Sequence, residues 1–401
     1  MKQLYLIIAV VLCMTFMTAC SSDEPATDNT VEEIGLTPAE VIVGEDMGEF
    51  NTELFKAFAE IEDKDDNLIV SPFSVSAYLS MQANYCSETT RQQIFNVFGT
   101  SDLDALNSFN AKMISNLGKL DKSTTLNLAN SVWYDRRYSL KPGVKENLSE
   151  YFNADFFPCN PRQSDIKDAV NNWIKQKTND KITDFYNGDS FISMVINALY
   201  FNGTWKKQFE KGSTEKEKFY VGEKIYMVDM MKRTNTSEEL AEGNNFTACR
   251  RDFGNGAYTC TFILPEEGCD INKFIAGLSY DDIASLNFKN TSCDLYVPKF
   301  ELRGKFDKLI TVFSSLGIDN LDTPLVLTES ERKNFDITVY HETYIKLDEK
   351  GAEVAAVTGD LAYTSSGIIL PEFKLDRPFI FMINETSTNA CILAGRISKF
   401  K

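Results

Sequence analysis

The run from Phe191 to Phe201 is almost entirely apolar or β-branched, and it constrains the fold more than any other stretch. Such a run reads as a strand buried on both faces. Helical spacing dominates what precedes it. Phe50, Leu54, Phe55, Phe58 and Ile61 recur on one helical face. Val75, Tyr78, Leu79 and Cys86 do the same after Ser71-Pro72, where proline suits a first turn. The spacing of Ile166, Val170, Trp173 and Ile174 predicts an amphipathic helix over Asp165 to Phe185. Strand-like runs follow at Tyr258 to Leu264 and Cys293 to Phe300, with a closing pair at Pro378 to Ile383 and Asn389 to Ile397. Helices early and strands late predict an α+β fold with mainly antiparallel sheets.

A chain of 401 residues supports one large domain or two ordinary ones, and its 29 phenylalanines supply ample core. The net charge of −17 argues against nucleic acid as a partner and against anionic membrane surfaces. The N-terminus reads as a targeting segment. Lys2 is the short positive region, Leu4 to Phe16 is apolar but too short to span a bilayer, and Thr18-Ala19-Cys20 closes it. That ending resembles a bacterial lipobox. The resemblance implies a signal peptide over residues 1–19, acylation of Cys20, and anchoring to the bacterial cell envelope, at the periplasmic face of the outer membrane or the cell surface. An ordinary signal peptide with Cys20 incidental is the alternative. The polar, acidic stretch over residues 20–45 reads as a flexible tether, which leaves 46–401 as the folded domain.

Cys86, Cys159, Cys249, Cys260, Cys269, Cys293 and Cys391 follow Cys20. Their number is odd, no CxxC occurs and the chain has one histidine, so neither a zinc site nor another metal is supported. Most read as buried small hydrophobes, with one or two disulfides open outside the cytoplasm. No cofactor is implied.

The segment after the strand run Tyr344-Ile345-Lys346-Leu347 is unusual. Asp348-Glu349-Lys350-Gly351-Ala352-Glu353-Val354-Ala355-Ala356-Val357-Thr358-Gly359 sits where a loop is expected. An exposed linker or a short helix through the alanines would account for it. Its parity points elsewhere. Ala352, Val354, Ala356 and Thr358 are all small and uncharged, the period-2 pattern of a strand with one buried face. A loop with side chains suited to burial could insert into a sheet.

This segment resembles the hinge of the serpins, the serine protease inhibitor family. Four further stretches match that family in order and approximate spacing: Asn67 to Ser74, Asn197 to Trp205, Asp294 to Phe300 and Asp376 to Phe381. The resemblance covers about residues 46–401. It implies the serpin fold, with a large five-stranded sheet A, eight to nine helices and an exposed reactive loop. The implied activity is suicide inhibition. A target endopeptidase cleaves the loop and is held as an acyl-enzyme while the loop enters the sheet as a new strand. A strand of ~15 residues would carry the enzyme about 50 Å. No catalytic residue of the inhibitor's own is needed, and a monomer is expected.

By the same resemblance Glu349, Lys299 and Trp205 form the breach where insertion begins, Gly351 is the hinge glycine, and the hinge runs through Thr358. Ser71, Ser74, Asn197 and His341 form the polar shutter under the sheet centre. The sequence departs from the family at Ala352, where Thr or Ser is commoner, and at Val354 and Val357, which replace alanines. Asp360 falls on the inward parity, where burial without a partner is costly. The family's count from Glu349 puts the scissile bond between Ser365 and Ser366, with Tyr363 and Thr364 as alternatives. Small or aromatic residues there favour elastase-like or chymotrypsin-like serine enzymes, then papain-like cysteine enzymes. No Arg or Lys lies between Gly351 and Lys374, which disfavours trypsin-like targets. A Ser-His-Asp hydrolase is disfavoured by the single His341 and the lack of a GxSxG elbow. A non-inhibitory serpin acting as a binding module is a further rival, and a plain surface-adhesion lipoprotein is a third, which leaves the hinge parity unexplained.

Overall fold

The computed structural model describes residues 31–306, 309–319, 321, 325–326, 340–351 and 370–400. Along the chain these form α1 (Pro38–Ile61), β1 (Leu68–Val70), α2 (Pro72–Ala83), α3 (Glu88–Phe98), α4 (Leu103–Asn116), β2 (Thr124–Asp135), α5 (Val144–Phe152), β3 (Ala154–Cys159) and α6 (Ile166–Lys177). Then come β4 (Ser193–Gly203), β5 (Glu215–Val221), β6 (Lys224–Gly243), β7 (Phe246–Phe253), β8 (Tyr258–Pro265), α7 (Ile271–Gly277), α8 (Tyr280–Ala284), β9 (Lys289–Pro298) and β10 (Phe300–Phe306). The rest are α9 (Leu309–Ser315), β11 (Tyr340–Leu347), β12 (Glu372–Lys374), β13 (Phe379–Glu385) and β14 (Cys391–Ile397). None of the described helices is long and apolar enough to cross a membrane.

The strands make two sheets. One has five strands in the order β10-β11-β4-β2-β3. The other has nine, running β1-β14-β13-β8-β7-β6-β9-β12 with β5 paired to β6. Pairing is antiparallel except at β11–β4, β2–β3 and β9–β12. The central β4 is the apolar run seen in sequence, buried throughout except at Asn202. Helix α2 is buried at all of its 12 residues. A helix apolar or small on every side belongs inside a core. Ser71 starts it by accepting a hydrogen bond from the Ser74 N–H, ahead of Pro72.

Several boundaries differ from the sequence reading. The tether does not extend to residue 45, because Pro38–Ile61 is one helix. Thr37 and Glu40 form a capping box at its start, and Val43 is already buried. The helix expected to reach Phe185 stops at Lys177, since Asn179 and Asp180 adopt positive φ, at 51° and 62°. Ile182, Phe185 and Tyr186 beyond it are nonetheless buried. Strands β2 and β3 were hidden in the helix-rich half, because Asn127, Asn130 and Asp135 interrupt the apolar pattern. The single strand expected over Cys293 to Phe300 is two. β9 ends at Pro298 in the nine-stranded sheet, Lys299 donates its N–H to the Asp229 carbonyl, and β10 begins in the other sheet. All seven described cysteines are free thiols.

Candidate functional site

At the upper end of the seam between β11 and β4 the chain reverses. Asp348 and Gly351 exchange two backbone hydrogen bonds, at 2.9 and 3.1 Å, which close a tight turn directly after β11. Gly351 then forms an antiparallel bridge with Thr204 at the end of β4. Its φ is +129°, and a Cβ built on it would lie 2.2 Å from the Gly203 carbonyl oxygen. Only glycine fits there.

Three donors hold the carbonyls leading into this turn. The Trp205 indole Nε1 donates to the Asp348 carbonyl at 3.1 Å. The Phe209 N–H donates to Glu349 at 2.8 Å, and the Trp205 N–H to Lys350 at 2.7 Å. The Glu349 carboxylate meets Lys299 Nζ at 3.0 Å and accepts from Thr214 Oγ1 at 2.8 Å. Burial works against ionising Glu349. The Lys299 ammonium, the residue's own N–H and the Thr214 hydroxyl outweigh it and hold the carboxyl below its ordinary range. Trp205, Lys299 and Glu349, singled out from the sequence, are thus brought together. Thr214 and Phe209 were missed, because nothing local marks a residue whose partner lies 135 positions away.

Arg251 was missed as well. Its guanidinium lies between the rings of Trp205 and Phe209, at 4.9 and 4.3 Å from their centroids. Its Nε donates to Glu238 at 3.1 Å and its Nη2 to the Lys207 carbonyl at 2.6 Å. The same two aromatic residues therefore grip the turn on one side and a buried cation on the other.

Lower on the seam, Ser71, Ser74, Asn197 and His341 converge. The Ser71 N–H donates to His341 Nε2 at 3.1 Å, which puts the imidazole proton on Nδ1. Ser71 Oγ donates to the Ile392 carbonyl at 2.7 Å and accepts from Ser74 N at 3.2 Å. His341 pairs with Asn197 across the β11–β4 ladder. Asn197 Nδ2 donates to Asn130 Oδ1 at 2.7 Å, so Asn130 on β2 also belongs to this cluster. Burial alone drives the His341 pKa down to about 3. The imidazole is therefore neutral and accepts from Ser71, with no carboxylate among its described contacts. Ala352, Glu353, Val354, Ala355, Ala356, Val357 and Thr358, together with Tyr363, Thr364, Ser365, Ser366 and Cys20, lie outside the described residues.

The family profile described as "Serpin (serine protease inhibitor)" matches residues 45–400. The chain belongs to the serpin family. This serpin is 29 % identical to human corticosteroid-binding globulin over 370 residues, covering 87 % of this chain and 88 % of that one. It is 26 % identical to human serpin B3, covering 87 % and 97 %. Among solved structures it resembles the thermophilic serpin tengpin in its native state, with a TM-score of 0.78, 27 % identity, and coverage of 92 % of this chain and 96 % of that one. Human thyroxine-binding globulin shares the fold, with a TM-score of 0.77 at 21 % identity, over 90 % of this chain and 99 % of that one. The expected serpin fold is therefore present. Its five-stranded sheet carries the seam, and the second sheet is the larger at nine strands.

Proposed function

We propose that this serpin is a suicide-substrate inhibitor of endopeptidases and not itself an enzyme. The observation that carries this reading is the join of β11 to β4. The two strands pair in parallel over only Tyr340–Tyr344 and Ile196–Tyr200. Above them Gly351 is already set antiparallel to Thr204, like the first residue of a strand between the two. A strand continuing down the seam would replace one short parallel ladder with two antiparallel ones, which are more stable per residue. The small inward residues Ala352, Val354, Ala356 and Thr358 suit that position.

Cleavage between Ser365 and Ser366, or beside Tyr363 or Thr364, would release the segment. Those residues favour elastase-like and chymotrypsin-like serine enzymes as partners, followed by papain-like cysteine enzymes. The resemblance of Thr18-Ala19-Cys20 to a lipobox supports acylation of Cys20 and a tether on a bacterial envelope, a monomer is expected, and the net charge of −17 argues against nucleic acid as a partner. The likeness to a globulin named for corticosteroid binding supports one alternative, a serpin that binds rather than traps.

Incubation with pancreatic elastase, chymotrypsin and papain tests the reading. A denaturant-stable complex is expected, together with release of a C-terminal peptide whose first residue locates the bond. Clean cleavage with no complex and no rise in melting temperature would sink inhibition and favour the binding module.

A further inference from the structure

The chain leaving β4 and the strand pair β6–β7 frame an open pocket of about 160 Å³. Four cations line it, Lys206, Lys207, Arg250 and Arg251, against three carboxylates. Each carboxylate is already matched. Asp252 meets Lys206 Nζ at 2.9 Å, Glu239 meets Arg250 Nε at 2.7 Å, and Glu238 meets Arg251 Nε at 3.1 Å. Lys207 is the cation left over. Among the described residues its Nζ donates only to the Ser237 carbonyl, at 3.0 Å. Arg251 keeps a donor unspent as well. Its side chain is 2 % exposed, and Nη1 has no acceptor among the described residues. A buried donor without an acceptor is costly. The lining therefore carries surplus positive charge in a chain whose net charge is −17.

Both guanidiniums are held in place by aromatic rings. Arg250 lies 4.3 Å from the Phe288 centroid, and Arg251 lies between Trp205 and Phe209. A fixed guanidinium beside a flexible lysine is a donor set suited to oxyanions. We propose that this pocket binds a small oxyanion of the phosphate kind, with Lys207 and Arg251 as its principal donors. A tetrahedral oxyanion presents acceptors in several directions, so it can meet the ammonium and the guanidinium at once. The site needs neither a cut nor an inserted loop and stands apart from the trapping reading.

The test is calorimetric titration of sodium phosphate into the intact protein at neutral pH, against sodium chloride at matched ionic strength. One site per chain is expected, with a melting temperature that rises with phosphate concentration. Lys207→Met should bind about tenfold more weakly, the effect of losing one charge-assisted hydrogen bond. Lys207→Arg keeps the cation and should retain binding. Lys64→Met removes an equal charge from α1, where Lys64 pairs with Glu60 outside the pocket, and should match wild type. Lys207 and Lys64 are both exposed, so these variants should fold, and their melting temperatures without phosphate check it. No heat of binding, with equal melting temperatures in phosphate and chloride, would overturn the site. Undiminished binding by Lys207→Met would place the anion elsewhere and overturn the assignment. Equal weakening in Lys207→Met and Lys64→Met would reduce it to general charge attraction and overturn it too.

Discussion

Lys299 and Glu349 meet at 3.0 Å although one sits between the two sheets and the other in the turn after β11. Lys299 is the residue at which the chain leaves the nine-stranded sheet for the five-stranded one. The pair therefore ties the turn at the top of the seam to the junction of the sheets. The Glu349 side chain is only 6 % exposed, so its ionised form depends on that ammonium and on Thr214.

Replacing Lys299 with Met leaves a nearly buried carboxylate with Thr214 as its remaining side-chain partner. A loss of about 1–3 kcal/mol is expected, less than for a wholly buried pair because Lys299 is itself partly exposed. Urea unfolding at neutral pH measures it. The variant should also take up a synthetic peptide copying residues 351–365 faster than wild type, as followed on native gels. An unchanged annealing rate would mean that the pair does not latch the seam.

Gly351→Ala should be costly despite its small size. The positive φ and the close Gly203 carbonyl both oppose a side chain. A loss of at least about 2 kcal/mol is expected from strain of this kind. Thermal unfolding of the uncut protein is the measurement. A stability equal to wild type would show that the turn relaxes at no cost.

His341 makes stability depend on pH. Its folded pKa is about 3, against an ordinary value of 6.5. The unfolded chain takes up a proton below pH 6.5 and the folded one does not. Stability is therefore full above that value and falls as pH drops toward 3, by about 1.4 kcal/mol per unit. His341→Gln should start lower at pH 7 and lose this part of the slope. Denaturant titrations at pH 7, 5.5 and 4.5 compare the two, and parallel slopes would refute the assignment.

Arg251→Met removes the cation between Trp205 and Phe209 and takes a partner from buried Glu238. About 3 kcal/mol of destabilisation is expected for breaking a buried pair. Tryptophan emission should shift to longer wavelength if Trp205 loosens from Asp348. A destabilised protein with unshifted emission would confine Arg251 to packing and separate it from the turn.

The sequence by itself determined what depends on local pattern. Period-2 parity, helical spacing and short motifs marked β4, α2, the C-terminal strand pair and the hinge-like segment, and the ordered motifs pointed to the serpin family. Ser71, Asn197, His341, Trp205, Lys299 and Glu349 were legible as site members through that resemblance, not through chemistry of their own. Only the tertiary structure decided which side chains meet. Thr214 lies 135 residues from Glu349, and Asp184 lies 119 from Arg303. Nothing in the local sequence fixes such distances, because they follow from how the two sheets pack and where β9 hands over to β10. The same holds for the end of α6, where two residues at positive φ stop the helix although the apolar pattern continues to Tyr186.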